Sequence, residues 1–147
     1  MLYIALYAPS SVQRVLDFVK TVYAFNDAIP IIIRPFGAAS QIGVPEAFRI
    51  SYRLGKPLIL VPEIEDLVTT LGISKRYFIA DQGSKKKIED IEEGSCIIIN
   101  GGDQEPSKKE LLTVELIKLA EIPSNLPSPA LVSALLIVKR GANVFKK

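Results

Sequence analysis

Apolar and polar positions fall in short blocks along the chain, and the period changes from block to block. Leu2–Tyr7 carries no charge and reads as a strand. From Ser10 to Phe25 the apolar positions Val12, Val15, Leu16, Val19, Val22 and Tyr23 recur at helical spacing, with Ser10 or Ser11 placed to cap. Ile29–Ile33 is β-branched and apolar on both faces, as in an interior strand of a parallel sheet. Pro35–Gly43 reads as a loop, and Pro45–Leu54 as a helix with Pro45 near its first position and Gly55 as its stop.

The alternation continues to the end of the chain. Leu58–Val61 is a third strand, Glu63–Leu71 a short helix closed by Gly72, and Arg76–Ala80 a fourth strand. Lys85–Glu93 is polar, anchored only by Ile88 and Ile91. Cys96–Ile99 is a fifth strand, Ser107–Leu112 a helix opened by a Ser107/Glu110 capping box, and Val114–Leu119 a sixth strand. A loop over Ile122–Pro129 leads into a last helix, Ala130–Arg140. Strands alternating with helices predict an α/β fold with a mostly parallel sheet and helices on both faces. With no repeat, low-complexity tract or linker, residues 1–147 read as a single domain. The last helix is apolar all round, so either the fold tucks it in or a second subunit covers it.

Composition removes several kinds of chemistry. The chain has 147 residues, 48% of them hydrophobic, which is enough for a substantial core. It has no histidine, so a Ser-His-Asp triad, a Cys-His dyad and an imidazole metal ligand are all excluded. One cysteine allows no internal disulfide, and Cys96 within its strand reads as a small buried apolar residue. The net charge of +2 gives no strong global field for nucleic acid but leaves room for a local basic patch. Leu2–Tyr7 is too short for a signal sequence, and Pro129–Val138 is about half of the ~20 residues that span a bilayer. A soluble, cytoplasmic protein without membrane contact is expected.

Neither GxGxxG nor a Walker A sequence is present. Carboxylates cluster at Glu63, Glu65 and Asp66, and again at Glu89, Asp90, Glu92 and Glu93. The first group follows a strand and could serve a metal-dependent nuclease, whose carboxylates converge on Mg²⁺; the second reads as a solvated face. No dedicated metal site is expected.

In open parallel sheets ligands bind beyond the carboxyl ends of the strands. Loops rich in Gly, Pro and small polar residues follow the strands here at Arg34–Gly43, Pro62–Glu63, Asn100–Pro106 and Ile122–Pro129. Gly101-Gly102 allows close approach of a ligand or simply a tight turn. Three prolines make the last loop stiff.

A Gly-rich loop after an apolar strand, a short helix, a strand, a rigid Ile-Pro loop and a small-residue apolar helix together resemble the SPOUT methyltransferases. The similarity is to their SpoU branch, and within it to an archaeal group described as SpoU-like or RecB-like. Gly102 and Ile122 are 20 positions apart, and Ile122 and Leu131 are 9 apart, which matches the family's Gly, Ile-Pro and Ser-Leu-Asn separations. Gln41-Ile42-Gly43, Ala47-Phe48-Arg49 and Leu54-Gly55 resemble the first SpoU motif. The resemblance implies a C-terminal trefoil knot, an S-adenosylmethionine pocket at Gly101, Gly102, Ile122, Pro123 and Leu131, an RNA substrate, and a homodimer through the C-terminal helix.

The chain departs from the motifs at several positions. Gln41 replaces Asn, and the Arg is displaced by two positions, which makes Arg49 the candidate and Arg53 and Arg34 its alternatives. Gly102-Asp103-Gln104, with Glu105 one step on, replaces Gly-x-Glu, and Ala130-Leu131-Val132 replaces Ser-Leu-Asn.

Methyl transfer from a sulfonium is an in-line displacement that needs an oriented acceptor and a proton acceptor. Arg49 would position phosphate or ribose, and Glu46 or Glu105 would take the proton. Lys85-Lys86-Lys87 and Lys108-Lys109 could meet RNA but read first as solvated faces. A knot protein that binds a nucleotide or RNA without catalysis, and a nuclease using Glu63, Glu65 and Asp66, are the competing readings.

Overall fold

A computed structural model describes residues 1–102 and 104–145. Six strands form one sheet in the order β3-β2-β1-β5-β4-β6: β1 Leu2–Tyr7, β2 Ala28–Ile33, β3 Ile59–Val61, β4 Arg76–Lys86, β5 Cys96–Asn100 and β6 Glu115–Leu119. Their pairings are parallel. Five helices, α1 Val12–Phe25, α2 Val44–Leu54, α3 Asp66–Thr69, α4 Lys108–Leu111 and α5 Ser128–Phe145, connect or follow them. The predicted α/β architecture is therefore the one that forms.

The two-residue period of a strand divides the core. Leu2, Ile4 and Leu6 of β1, with Ile97 and Ile99 of β5, pack with buried residues of α1, α2 and α5. Ala5 and Tyr7, with Cys96 and Ile98, pack on the other face with Leu67 of α3 and Leu111 of α4. Ser11 caps α1, its hydroxyl accepting the Arg14 N–H at 3.2 Å. Among the described residues no helix is long and apolar enough to cross a membrane.

Three expectations change. The loop expected over Pro35–Gly43 contains a π-helical turn, Ala39–Gly43, that runs straight into α2. Its small residues let it lie on α1, where a Cβ on Gly43 would be 3.4 Å from Val12 Cα. The helix expected over Glu63–Leu71 is shorter, Asp66–Thr69, because Asp66 folds back to accept the Glu63 N–H at 3.0 Å and the first residues form turns.

The fourth strand extends past Ala80 to Lys86 and pairs again with β6 after a bulge between Ile79 and Ser84. One face of α5 is covered within the chain. Leu131, Val132, Leu135 and Leu136 are buried against α1 and the sheet, which leaves Ile137 exposed at 57%.

Candidate functional site

At the carboxyl ends of β1 and β2 the ladder runs one residue further: Ala8 N–H donates to Ile33 O at 2.8 Å and Arg34 N–H to Val61 O at 3.0 Å. Both residues then turn left-handed, with φ 50° at Ala8 and 46° at Arg34. Such a conformation costs a non-glycine residue about 1–3 kcal/mol and persists only where surrounding contacts hold it. The turn lays the Arg34 guanidinium over the buried ring of Tyr7, with Cζ 5.1 Å from the ring centroid.

There Arg34 bridges three elements. Nη1 meets Glu63 at 3.1 Å after β3, and Nη2 meets Glu110 of α4 at 3.0 Å. Nη2 also donates to the Tyr7 phenol oxygen, while the Tyr7 hydroxyl donates to Glu110 at 3.1 Å. Glu110 also closes the capping box of α4: its carboxylate accepts the Ser107 N–H at 3.0 Å, and its own N–H donates to Ser107 Oγ at 3.1 Å.

The strand order reverses between β1 and β5, and the two glycines fill that crevice. Gly101 N–H donates to Tyr7 O at 2.7 Å, and Arg14 of α1 donates to Gly101 O at 3.2 Å. A Cβ on Gly101 would stand 2.6 Å from Leu6 Cγ, and one on Gly102 would stand 2.7 Å from Ala8 O. The glycine pair therefore serves close approach to the end of β1.

Beside the β4 bulge, at the carboxyl ends of β5 and β6, lies a cleft of about 290 Å³. The β4 bulge supplies Asp81, the end of β5 supplies Asn100, the loop after β5 supplies Glu105, the loop after β6 supplies Ser124, and α4 supplies Leu111. The Ser124 hydroxyl donates to Asp81 Oδ1.

A family profile described as RecB-family nuclease (DUF2122) matches residues 37–138. The chain belongs to this family. Relatives bearing the name "Putative type II restriction enzyme" come from Aeropyrum pernix and Methanocaldococcus jannaschii. The first is 30% identical over 106 residues, 69% of this chain and 68% of the relative. The second is 23% identical over 113 residues, 75% and 77% of the two chains.

Among solved structures, one on 2-OH methylation of C/U34 on tRNA is similar with a TM-score of 0.72 at 18% identity, covering 100% of this chain and 98% of the other. The SpoU methyltransferase AviRb from Streptomyces viridochromogenes, in complex with AdoMet, gives 0.71 at 12% identity, covering 98% and 61%. This member of the RecB-named family thus has the fold of SpoU methyltransferases, as the resemblance implies.

In the family fold the residues singled out from sequence separate into groups. Glu105 lines the cleft, and Gly101 and Gly102 follow directly on its Asn100. Ile122 and Leu131 are buried in the core on the α5 face, with Pro123 exposed between Ile122 and Ser124. Glu46 and Arg49 pair with each other at 2.5 Å on α2, and Arg49 is 71% exposed there. Arg34, an alternative to Arg49, is the arginine tied to α4, whose Leu111 forms cleft wall. Asp103, at the centre of the Gly-x-Glu departure, lies outside the described residues.

Of the nuclease carboxylates, Glu63 pairs with Arg34 and Asp66 accepts from the Glu63 backbone. Among the described residues no three His, Cys, Asp or Glu side chains gather as a metal site. In the lysine run, Lys86 pairs with Glu115 at 3.7 Å and sits 5.4 Å from the Tyr77 ring centroid.

The sequence does not single out Tyr7, Arg14 and Asp81, and it marks Asn100 and Ser124 only as members of the loops at 100–106 and 122–129. The isolated Gly83 in a strand pattern was the one usable signal, since it marks the bulge that carries Asp81.

The cleft has the chemistry for an adenosyl cofactor. Its volume is at the lower edge of the ~300–1,000 Å³ of small-molecule sites. Amide, hydroxyl and carboxylate groups converge on an apolar floor of Ile79, Leu111 and Leu116. These groups suit ribose hydroxyls, a base edge and a cationic sulfur.

Proposed function

We propose that this chain is an S-adenosylmethionine-dependent RNA methyltransferase of the SpoU-like type, a single knotted domain that pairs as a homodimer through α5. The cleft carries the reading: it is built from the bulge of β4 and the loops after β5 and β6, on a SpoU methyltransferase fold. When bound there, S-adenosylmethionine supplies a methyl group on a positively charged sulfur. Gly101, Gly102, Ile122, Pro123 and Leu131 would shape its seat, and Asn100 and Ser124 would offer side-chain hydrogen bonds. Glu105, on the cleft wall, would take the acceptor's proton, with Glu46 as the other candidate base. An arginine, Arg49 or Arg34, would hold the RNA ribose or phosphate.

Calorimetric titration with S-adenosylmethionine tests this reading; no binding at millimolar cofactor sinks it. Binding without transfer to total RNA would favour a non-catalytic knot protein instead. Sedimentation of the purified chain tests the dimer, and a monomer at micromolar concentration rejects it.

The names borne by the family and its relatives favour a second reading, a nuclease using Glu63, Glu65 and Asp66. Mg²⁺-dependent cleavage of DNA or RNA that is lost on Glu63→Ala would replace the first reading with this one.

A further inference from the structure

β4 leaves its ladder with β6 between Ile79 and Ser84, and Gly83 lets the excursion return close to β6: a Cβ there would lie 2.5 Å from the Ile117 backbone. The excursion puts Asp81 into the cleft wall, where the Ser124 hydroxyl, held on the proline-stiffened loop, engages Oδ1. Glu105 comes from the loop after β5. The described lining thus holds two carboxylates and no lysine or arginine.

We infer that the cleft selects its ligand by charge, with Asp81 and Glu105 holding a sulfonium cofactor more tightly than the thioether that remains after the methyl group leaves. The inference rests on the methyltransferase reading of the cleft.

Cofactor and product have nearly the same shape, so an apolar pocket separates them weakly, whereas their sulfurs differ by one full charge. A sulfonium has no proton to lose and so stays charged in any surrounding. Asp81 is already fixed by Ser124, so little side-chain ordering opposes binding. Both carboxylates are exposed to solvent, which screens them and limits the discrimination to about tenfold. Loss of the methyl group would then loosen the spent ligand without any change in protein conformation.

Calorimetry on the full chain tests this with three probes: S-adenosylmethionine, S-adenosylhomocysteine, and sinefungin, which carries an ammonium group near the sulfonium position. Both cationic ligands should bind about tenfold more tightly than the homocysteine compound. Asp81→Asn, which keeps an oxygen for Ser124, and Glu105→Gln should each shrink that ratio. Ser124→Ala, which keeps the charge, should preserve it.

Equal binding of the three by the parent chain, or a ratio unmoved by both carboxylate variants, overturns charge selection and leaves the methyltransferase reading standing. Failure of all three to bind overturns both. If Asp81→Asn does not fold, Glu105→Gln decides alone.

Discussion

Arg34 lies across the face of Tyr7 because β1 and β2 pair Tyr7 with Ile33, one residue before two neighbouring left-handed turns. Those turns, at Ala8 and Arg34, stand side by side at the rim of the sheet. The Arg34 side chain folds back over the strand it would otherwise leave, and α4 is fastened to that rim through Glu110.

Tyr7→Phe keeps the ring beneath the guanidinium and removes the hydroxyl between Arg34 and Glu110. A loss of about 1–2 kcal/mol is expected, as for a hydrogen bond to charged partners. Urea denaturation measures it. A cycle with Glu110→Gln should show coupling above about 0.5 kcal/mol; additivity would mean that the hydroxyl and carboxylate act independently.

The two candidate arginines should separate by stability alone. Arg49→Ala removes an exposed pair with Glu46 and should shift the unfolding free energy by less than about 0.5 kcal/mol. Arg34→Ala strips Glu63, Glu110 and Tyr7 of a shared partner and should cost about 1–2 kcal/mol. Equal effects in chemical denaturation would contradict this arrangement.

Gly101→Ala and Gly102→Ala should each destabilise the ligand-free protein by about 1–3 kcal/mol. The added methyl group meets Leu6 in one case and the Ala8 carbonyl in the other, and the carbonyl in particular cannot yield. A glycine kept open only for a ligand would instead tolerate alanine until the ligand was added, so a thermal melt without ligand distinguishes the two.

Burial pushes the Cys96 thiol pKa up from its ordinary value of 9.0. The unfolded chain therefore loses that proton as pH passes 9 while the folded chain keeps it, so stability falls as pH rises. The loss attributable to Cys96 between pH 8 and pH 10 should be on the order of 1 kcal/mol. The parent chain should show that much more pH dependence than Cys96→Ala in denaturant titrations. The native thiol should also resist a disulfide reagent until the chain unfolds.

What the sequence revealed follows from how local each cause is. β1 and β5 are uninterrupted apolar runs, so both were legible, as was the α4 capping box, whose partners lie three residues apart. The second half of β4 was not, because Lys85 and Lys86 are polar positions beside the edge strand and look like loop. The π-helical turn was hidden because Pro35 and Gly37 read as loop residues, while its position depends on contact with α1. In the candidate site, the loop holding Gly101, Gly102 and Glu105 stands out by its position after a strand, while their roles come only from the family resemblance. The link from Tyr7 to Glu110 spans 103 residues and exists only once the sheet is assembled. The left-handed turn at Arg34 likewise had no residue signature, since arginine rarely adopts it.

The β4 bulge also fixes how the cleft can open. Ladder bonds with β6 resume on its far side, so the notch is bounded by pairing above and below and cannot widen by parting the strands. A ligand must enter over the loops, with the sheet acting as a rigid jaw. Ligand binding should therefore slow amide exchange in the loops after β5 and β6 while leaving exchange at Tyr77–Ile79 and Ser84–Lys86 nearly as it was.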